Sequence, residues 1–525
     1  MRKIRIYTVT LFVLVSVQLF AQKSSFPTAT PESQGVSSKA IIDFLDAIPG
    51  TGNEFHSFMI LRHGKLIADG WWNPYRSDLK HTMYSVSKSF TATAVGFAIS
   101  EKKLSLDDKV ISFFPKNEMP DTVSPNLASL RVRDLLSMSV GMPTDPTGDV
   151  CQADDWVKAF LNTPIKFEPG TKFLYNSAGT FMLSAIVQKV TGQKVLDYLK
   201  PRLFDPLGIE GIDWETNLQG INTGGWGLRL KTEDMAKFGQ LFLQEGKWNG
   251  KQIIPQSWVD AASTKKIDQD PTAPQSKKDS SDWLQGYCYQ MWRCRNNAYR
   301  GDGAFGQYII VMPAQDAVVV ITSETKNMQS EIDLVWKYIL PAFQPKELPA
   351  DANAVATLKQ KIALLSLPIN QVGNSSLQAA ISGKKYIVDS GSNKIKNIGF
   401  EFKDGNCYVT LTNDASTYRI AFGEGKWTKG VTARPGPYLV ARAKNNRVGL
   451  DPYQIAGSYS WKDDKTLELD LRYVESPHTE IINCVFDGAN ASIHFKTSYD
   501  NSDDKYKISP VARLKIQTQS SLSRN

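Results

Sequence analysis

The sequence predicts an α+β protein: an antiparallel sheet flanked by helices and carrying a helical insertion, followed by a C-terminal all-β domain. Three observations predict it. Between residues 37 and 343 the order is helix and strands, then helices, then strands and a helix, so one sheet draws on both ends of the segment. Residues 344–352 (QPKELPADA) break the pattern as a linker. Beyond them, short alternating runs replace helices. The expected divisions are 1–21, 22–343, 344–352 and 353–525. A chain of 525 residues suits two or three such units.

The elements follow in order. Residues 1–21 pair a basic start, MRKIR, with the apolar run TVTLFVLVSVQLF and read as a secretory signal peptide; an uncleaved anchor is the alternative. The first cysteine is Cys151, so no lipid-bearing cysteine sits at the cleavage site. The expected location is the periplasm or the extracellular space, with no integral membrane segment after signal removal. In SSKAIIDFLDAI, Ser37 or Ser38 caps a helix whose Ile41, Ile42, Leu45 and Ile48 share a face. Two apolar runs around Arg62-His63-Gly64-Lys65 form a hairpin. MYSVSKSFTATAVGFAIS is a helix apolar on most sides, hence buried. KFLYNSAGTFMLSAIVQKVTG begins extended and becomes a helix ending near Gly192. Another helix starts at Thr232, its expected N-cap. GQYIIVMP and AVVVITSE are strands, and SEIDLVWKYILPAF is a helix closed by Pro341. In the last region KKYIVDS, IGFEF, CYVTLTN, YRIAF, TLELDLRYV, INCVFD and ASIHFKT read as strands of a small barrel or sandwich.

Net charge is +8, but Arg2, Lys3 and Arg5 supply part of it and the rest is dispersed, so no nucleic-acid surface is expected. Five cysteines, Cys151, Cys288, Cys294, Cys407 and Cys484, leave at least one unpaired and contain no Cys-x-x-Cys pair. No His-x-His or His-Glu-x-x-His cluster is present, so neither a metal nor another cofactor is expected. With five histidines and no full nucleophile elbow, a Ser-His-Asp triad is disfavoured. Gly246-Lys247-Trp248-Asn249-Gly250-Lys251-Gln252 reads as a turn before a strand, not as a phosphate loop.

The chemistry concentrates at Ser85 and Lys88. Ser-x-x-Lys is a cheap spacing; it also occurs at Ser77/Lys80, Ser100/Lys103, Ser263/Lys266, Ser382/Lys385 and Ser502/Lys505. Only Ser85 stands where an extended approach, KHTMY, enters a buried apolar helix. A hydroxyl in that first turn faces the positive end of the helix dipole, worth about 0.3–1 kcal/mol. Lys88 lies one turn on, on the same face. Among Val86, Phe90, Thr91, Ala92 and Ala94 an ammonium is poorly solvated, so Lys88 can accept the serine proton. Tyr175, in Phe173-Leu174-Tyr175-Asn176-Ser177, can share that proton, because a nearby lysine cation lowers a phenol's pKa. Gly301-Asp302-Gly303-Ala304-Phe305-Gly306-Gln307 precedes a strand and lets backbone approach a ligand. An N–H near Ala304 or Phe305, with that of Ser85, would form an oxyanion hole, each donor worth ~2.7–4 kcal/mol.

These three segments resemble the motifs of the serine β-lactamase and penicillin-binding protein superfamily. The similarity is greatest to the class C β-lactamase-related branch of esterases, D-aminopeptidases and nylon-oligomer hydrolases. MYSVSKSF, LSLDDKVISFFP, LRVRDLLSMSVGM and LYNSAGTFMLSAIVQKVTG carry it, over about residues 30–343 and not beyond. The resemblance implies a β-lactamase-like fold, Ser85, Lys88 and Tyr175 as catalytic residues, and Ser177, Asp302, Gly303 and Ala304 as substrate-binding residues. Two departures matter. The tyrosine motif normally ends in asparagine, where this chain has Asn176 then Ser177. The usual Lys-Thr-Gly is Asp302-Gly303-Ala304, so an anion replaces the cation that grips a carboxylate. Arg300 is expected to point to the opposite strand face. The expected function is therefore an exported serine hydrolase cleaving an ester or amide of a small-molecule or peptide-like acyl substrate. The alternatives are a β-lactamase or D,D-carboxypeptidase, or a non-catalytic binding or sensor protein. For the C-terminal domain three roles stay open: covering the cleft, contacting a polymer or the cell envelope, or stabilisation.

Overall fold

The computed structural model describes residues 25–371, 373–388, 395–446, 450–488, 490–499 and 512–516. The signal-peptide expectation for residues 1–21 lies outside them. Among the described residues no helix is long and apolar enough to cross a membrane.

The first sheet has six strands: β1 (Glu54–Arg62), β2 (Lys65–Trp71), β3 (Trp292–Arg293), β4 (Tyr299–Gly303), β5 (Gln307–Met312) and β6 (Ala317–Glu324). Their spatial order is β2-β1-β6-β5-β4-β3, antiparallel throughout, so both ends of the segment meet at the β1–β6 pair. The β1–β2 hairpin forms where the sequence placed it. Arg62 pairs with Lys65, and His63 and Gly64 take φ of 50° and 70°. Positive φ at both central residues is the turn that matches strand twist, and glycine meets it without steric cost.

Helix α1 (Ser38–Ala47) starts at Ser37, whose hydroxyl accepts the Lys39 N–H at 3.2 Å. It packs on one face of the sheet, where Phe44, Phe58, Ile310 and Ile321 form a core. The other face carries a larger core around α2 (Ser87–Ser100), α3 (Ser177–Thr191) and α4 (Thr232–Leu243). Asn176 caps α3 by accepting the Gly179 N–H at 2.9 Å, and Gly192 closes it. For α4 the expected cap is corrected. Thr232 is the first helical residue, and Asp234 instead accepts the Lys231 N–H at 3.2 Å. The Thr232 hydroxyl turns to Ser57 on β1, at 2.7 Å. All five cysteines are buried and free.

Helix α5 (Met328–Leu334) follows β6, and α6 (Ala352–Ala363) packs back against α1 and β2. The C-terminal strands are β7 (Lys385–Val388), β8 (Asn397–Lys403), β9 (Asn406–Thr412), β10 (Thr417–Glu424), β11 (Thr428–Thr432), β12 (Tyr453–Trp461), β13 (Thr466–Tyr473), β14 (Thr479–Asp487), β15 (Asn490–Thr497) and β16 (Ala512–Ile516). They form one sheet in the order β10-β9-β8-β7-β16-β15-β14-β13-β12-β11, and a parallel β10–β12 pairing curls it into a barrel. Phe400, Val409, Phe422, Leu469, Ile482 and Phe486 fill its inside. The strands β11, β12 and β16 were not expected from sequence.

The barrel docks against the first sheet through the β13–β14 connection. Arg472, on β13, binds Glu54 through its two terminal guanidinium nitrogens, at 2.5 and 3.0 Å. The Glu475 carbonyl accepts the Thr82 N–H at 2.9 Å, and the Ser476 carbonyl accepts the Tyr75 hydroxyl at 3.1 Å. These contacts flank the chain as it runs into Ser85.

Candidate active site

The chain enters α2 through a single 3-10 turn, Tyr84–Val86, so Ser85 precedes the first α-helical residue and Lys88 lies in the first turn. Ser85 keeps an opening to solvent, whereas Lys88 is only 1% exposed. The Lys88 Nζ donates to Ser85 Oγ at 2.9 Å, to Ser177 Oγ at 2.9 Å and to the Gly225 carbonyl at 2.8 Å. Three acceptors match the three donors of an ammonium. Burial nevertheless lowers the Lys88 pKa from 10.5 to about 7, against the opposing pull of Asp145 and Asp302. The group is thereby poised between donor and base near neutral pH.

Ser177 opens α3 and thus turns its hydroxyl to Lys88. Asn176 is fully buried: its Oδ1 caps the helix and its amide nitrogen reaches Met142 Sδ at 3.5 Å. The serine, not the asparagine, faces the nucleophile. Tyr175 is half-buried and within hydrogen-bonding reach of Ser85. Its ring stacks on Trp292 (centroids 5.5 Å apart) and meets Tyr287 edge-on at 6.2 Å. The Lys88 Nζ stands 4.8 Å from its ring centroid. The expected direction of its acidity is reversed. Burial, with the Asp302 charge added, pushes the phenol well above its usual range, and the Ser85 hydrogen bond only partly offsets this. A resting phenolate is not available to this site.

The glycine-rich segment lies alongside the nucleophile. Gly303 ends β4 so near the approach to Ser85 that a Cβ there would sit 2.2 Å from the Met83 carbonyl oxygen. Only glycine allows that approach. The β4–β5 turn follows through Ala304, Phe305 and Gly306. Asp302 is 7% exposed. The expectation that Arg300 points away from it is corrected, because residues two apart on a strand share a face. The Arg300 Nε donates to Asp302 Oδ2 at 3.0 Å, and its Nη2 lies 2.8 Å from the same oxygen. Arg300 is held further by the Asp282 carbonyl at 2.8 Å and by the Trp283 ring at 4.5 Å. The anion in the third motif therefore carries its own buried counter-ion.

Ser85, Lys88, Tyr175 and Ser177 thus converge on one point, with Gly303 and Ala304 beside it. The sequence reading missed the Gly225 carbonyl as a lysine ligand, and Trp292 and Tyr287 as walls. Gly224-Gly225-Trp226 was legible only as a loop near the pocket. The aromatic pair carries no motif of its own.

A family model described as Beta-lactamase matches residues 39–342, more than half of the chain. The 6-aminohexanoate-dimer hydrolase of Paenarthrobacter ureafaciens is 26% identical over 284 residues, 50% of this chain and 71% of that protein. A protein of Escherichia coli K12, provisionally named a D-alanyl-D-alanine carboxypeptidase, is 29% identical over 154 residues. That match takes in 27% of this chain and 36% of the relative, about a third of its length. Among solved structures, the octameric penicillin-binding protein homologue from Pyrococcus abyssi is 16% identical, with a TM-score of 0.47. It covers 91% of this chain and 99% of its own.

Proposed function

Because the chain belongs to the beta-lactamase family and is a serine hydrolase of that fold, we propose that it cleaves an ester or amide through an acyl-enzyme on Ser85. The observation that carries this is the buried Lys88 amine, 2.9 Å from Ser85 Oγ and titrating at about 7. In the first step neutral Lys88 takes the Ser85 proton as Oγ bonds to the substrate carbonyl carbon. The tetrahedral oxyanion lies between the Ser85 N–H and an N–H of the Ala304/Phe305 turn. Collapse breaks the bond to the leaving group, which takes its proton from Lys88 by way of Tyr175. Water then attacks the acyl carbon as it gives a proton to Lys88; collapse breaks the bond to Ser85 Oγ, Lys88 returns that proton to Oγ, and the acid leaves. Tyr175 serves as a neutral relay, giving one proton as it takes another, since its phenol resists ionisation.

The substrate reading rests on the third motif. The Arg300–Asp302 pair is closed on itself, so no free cation is offered to a substrate carboxylate there. This favours a neutral ester or amide over a β-lactam or a peptide C-terminus. We also read the chain as exported, on the basic and apolar character of residues 1–21. Side-by-side hydrolysis of a chromogenic ester, a D-amino amide and a β-lactam tests the substrate class. Ester or amide turnover that vanishes in Ser85→Ala is expected; preferential β-lactam turnover would refute it.

A further inference from the structure

The turn that presents Ser85 is gripped from the barrel side. Tyr84 has φ of 43°, a left-handed conformation that a bulky residue holds only when its surroundings over-determine it. Its hydroxyl lies 2.5 Å from His478 Nε2 and accepts the Leu439 N–H at 3.3 Å. Its ring stacks on Tyr438, with centroids 5.5 Å apart and planes at 20°, and borders Phe305 at 5.8 Å. Tyr438, Leu439 and His478 all come from the C-terminal region, remote in sequence from the nucleophile.

His478 is itself fixed. Its Nδ1 lies 2.7 Å from Glu324 Oε1 at the end of β6, and Ser498 Oγ donates to the same oxygen at 2.8 Å. Its ring meets Phe305 edge-on at 4.7 Å and Tyr499 at 4.5 Å. With a carboxylate at Nδ1, that nitrogen carries the proton, and Nε2 is left to accept from the Tyr84 hydroxyl. Burial keeps the imidazole in this neutral form by lowering its pKa.

We infer that His478, oriented by Glu324, is a positioning residue: it anchors the Tyr84 hydroxyl and so holds the left-handed turn that presents Ser85 to Lys88. The C-terminal barrel is then a working part of the active site. Phe305 extends the same clamp to the turn that supplies the second oxyanion donor. The inference rests on the reading of Ser85 as nucleophile.

The test compares full-length wild type, Tyr84→Phe, His478→Leu, His478→Gln and the Tyr84→Phe/His478→Leu double variant. Three quantities are read: the rate of Ser85 phosphonylation by a fluorophosphonate, standing in for acylation, kcat and KM on a chromogenic ester, and hydrogen–deuterium exchange over residues 83–88. Tyr84→Phe and His478→Leu should each slow acylation and kcat by about ten- to a hundred-fold and speed exchange of the turn. KM should stay within about two-fold. The double variant should lose no more than the worse single, since the pair acts as a unit. His478→Gln, whose amide oxygen can accept from Tyr84, should recover most of both signals. Unchanged exchange and acylation in the folded variants, or losses that multiply, would overturn the inference. Exchange reads the turn without chemistry. A wild type never acylated at Ser85 would thus defeat the nucleophile reading, while the clamp would still stand or fall on exchange.

Discussion

Arg300 and Asp302 form a buried ion pair at 2.8 Å, two residues apart on one strand and beside the Ser85–Lys88 pair. In the proposed site, Asp302 stands in place of the cation that the family resemblance leads one to expect in the third motif. Removing one partner strands a charge in the interior, which costs about 3–5 kcal/mol, whereas replacing both with neutral residues of similar volume costs far less. Arg300→Met should therefore lower the thermal midpoint sharply, and Arg300→Met/Asp302→Asn should restore most of it. Calorimetry of both variants decides this. A single variant as stable as wild type would show that the pair holds nothing.

Lys88 sets the acid limb of the pH–rate profile. Its pKa is lowered to about 7, so below that pH the amine is an ammonium and cannot take the Ser85 proton. The kcat/KM should fall tenfold per pH unit below about 7. Stability moves with the same sign. Between about 7 and 10.5 the unfolded lysine holds a proton that the folded one has released, so folding grows more favourable as pH rises through this window. A profile flat from pH 5 to 8 would contradict the assignment of Lys88 as base.

Tyr175→Phe should reduce kcat by about a hundred-fold or more, because a positioned proton relay contributes roughly 10²–10⁴-fold. Its phenol is held well above the ordinary range, so wild type should show no loss of activity from phenol ionisation up to about pH 10. A descending limb near pH 8 that disappears in Tyr175→Phe would show a far more acidic phenol.

Gly303→Ala should impair both fold and chemistry. The added methyl meets the Met83 carbonyl at 2.2 Å, so β4 or the nucleophile turn must shift. Overpacking of this kind costs about 1–3 kcal/mol. The acylation rate should fall further than the stability loss alone explains, as read by fluorophosphonate labelling at a temperature where the variant is folded.

Much of this architecture is legible in the sequence where one physical signal dominates. The hairpin at His63-Gly64, the buried helix after Ser85 and the cap of α3 rest on local rules. Ser85 and Lys88 could be paired because a helix start and helix periodicity place them one turn apart, whereas Ser177 was legible only through the family resemblance. The strand β12 was missed although Ile455, Tyr459 and Trp461, in the barrel core, alternate with Gln454, Ser458 and Ser460; Gly457 interrupts the apolar run at its centre. The strand β11 is short and largely polar at the sheet's edge. Arg300 was misjudged because residues two apart on a strand share a face. Trp292, Tyr287 and His478 reach the site through tertiary folding alone, and no local pattern in a single sequence announces such contacts.

Everything proposed for the site depends on Ser85 acting as the nucleophile. Intact-mass spectrometry after fluorophosphonate treatment tests it most directly, with peptide mapping of the adduct. One adduct per chain is expected, on Ser85, absent from Ser85→Ala and formed faster as pH rises through about 7. An unlabelled wild-type chain, or an adduct that persists in Ser85→Ala, would contradict it.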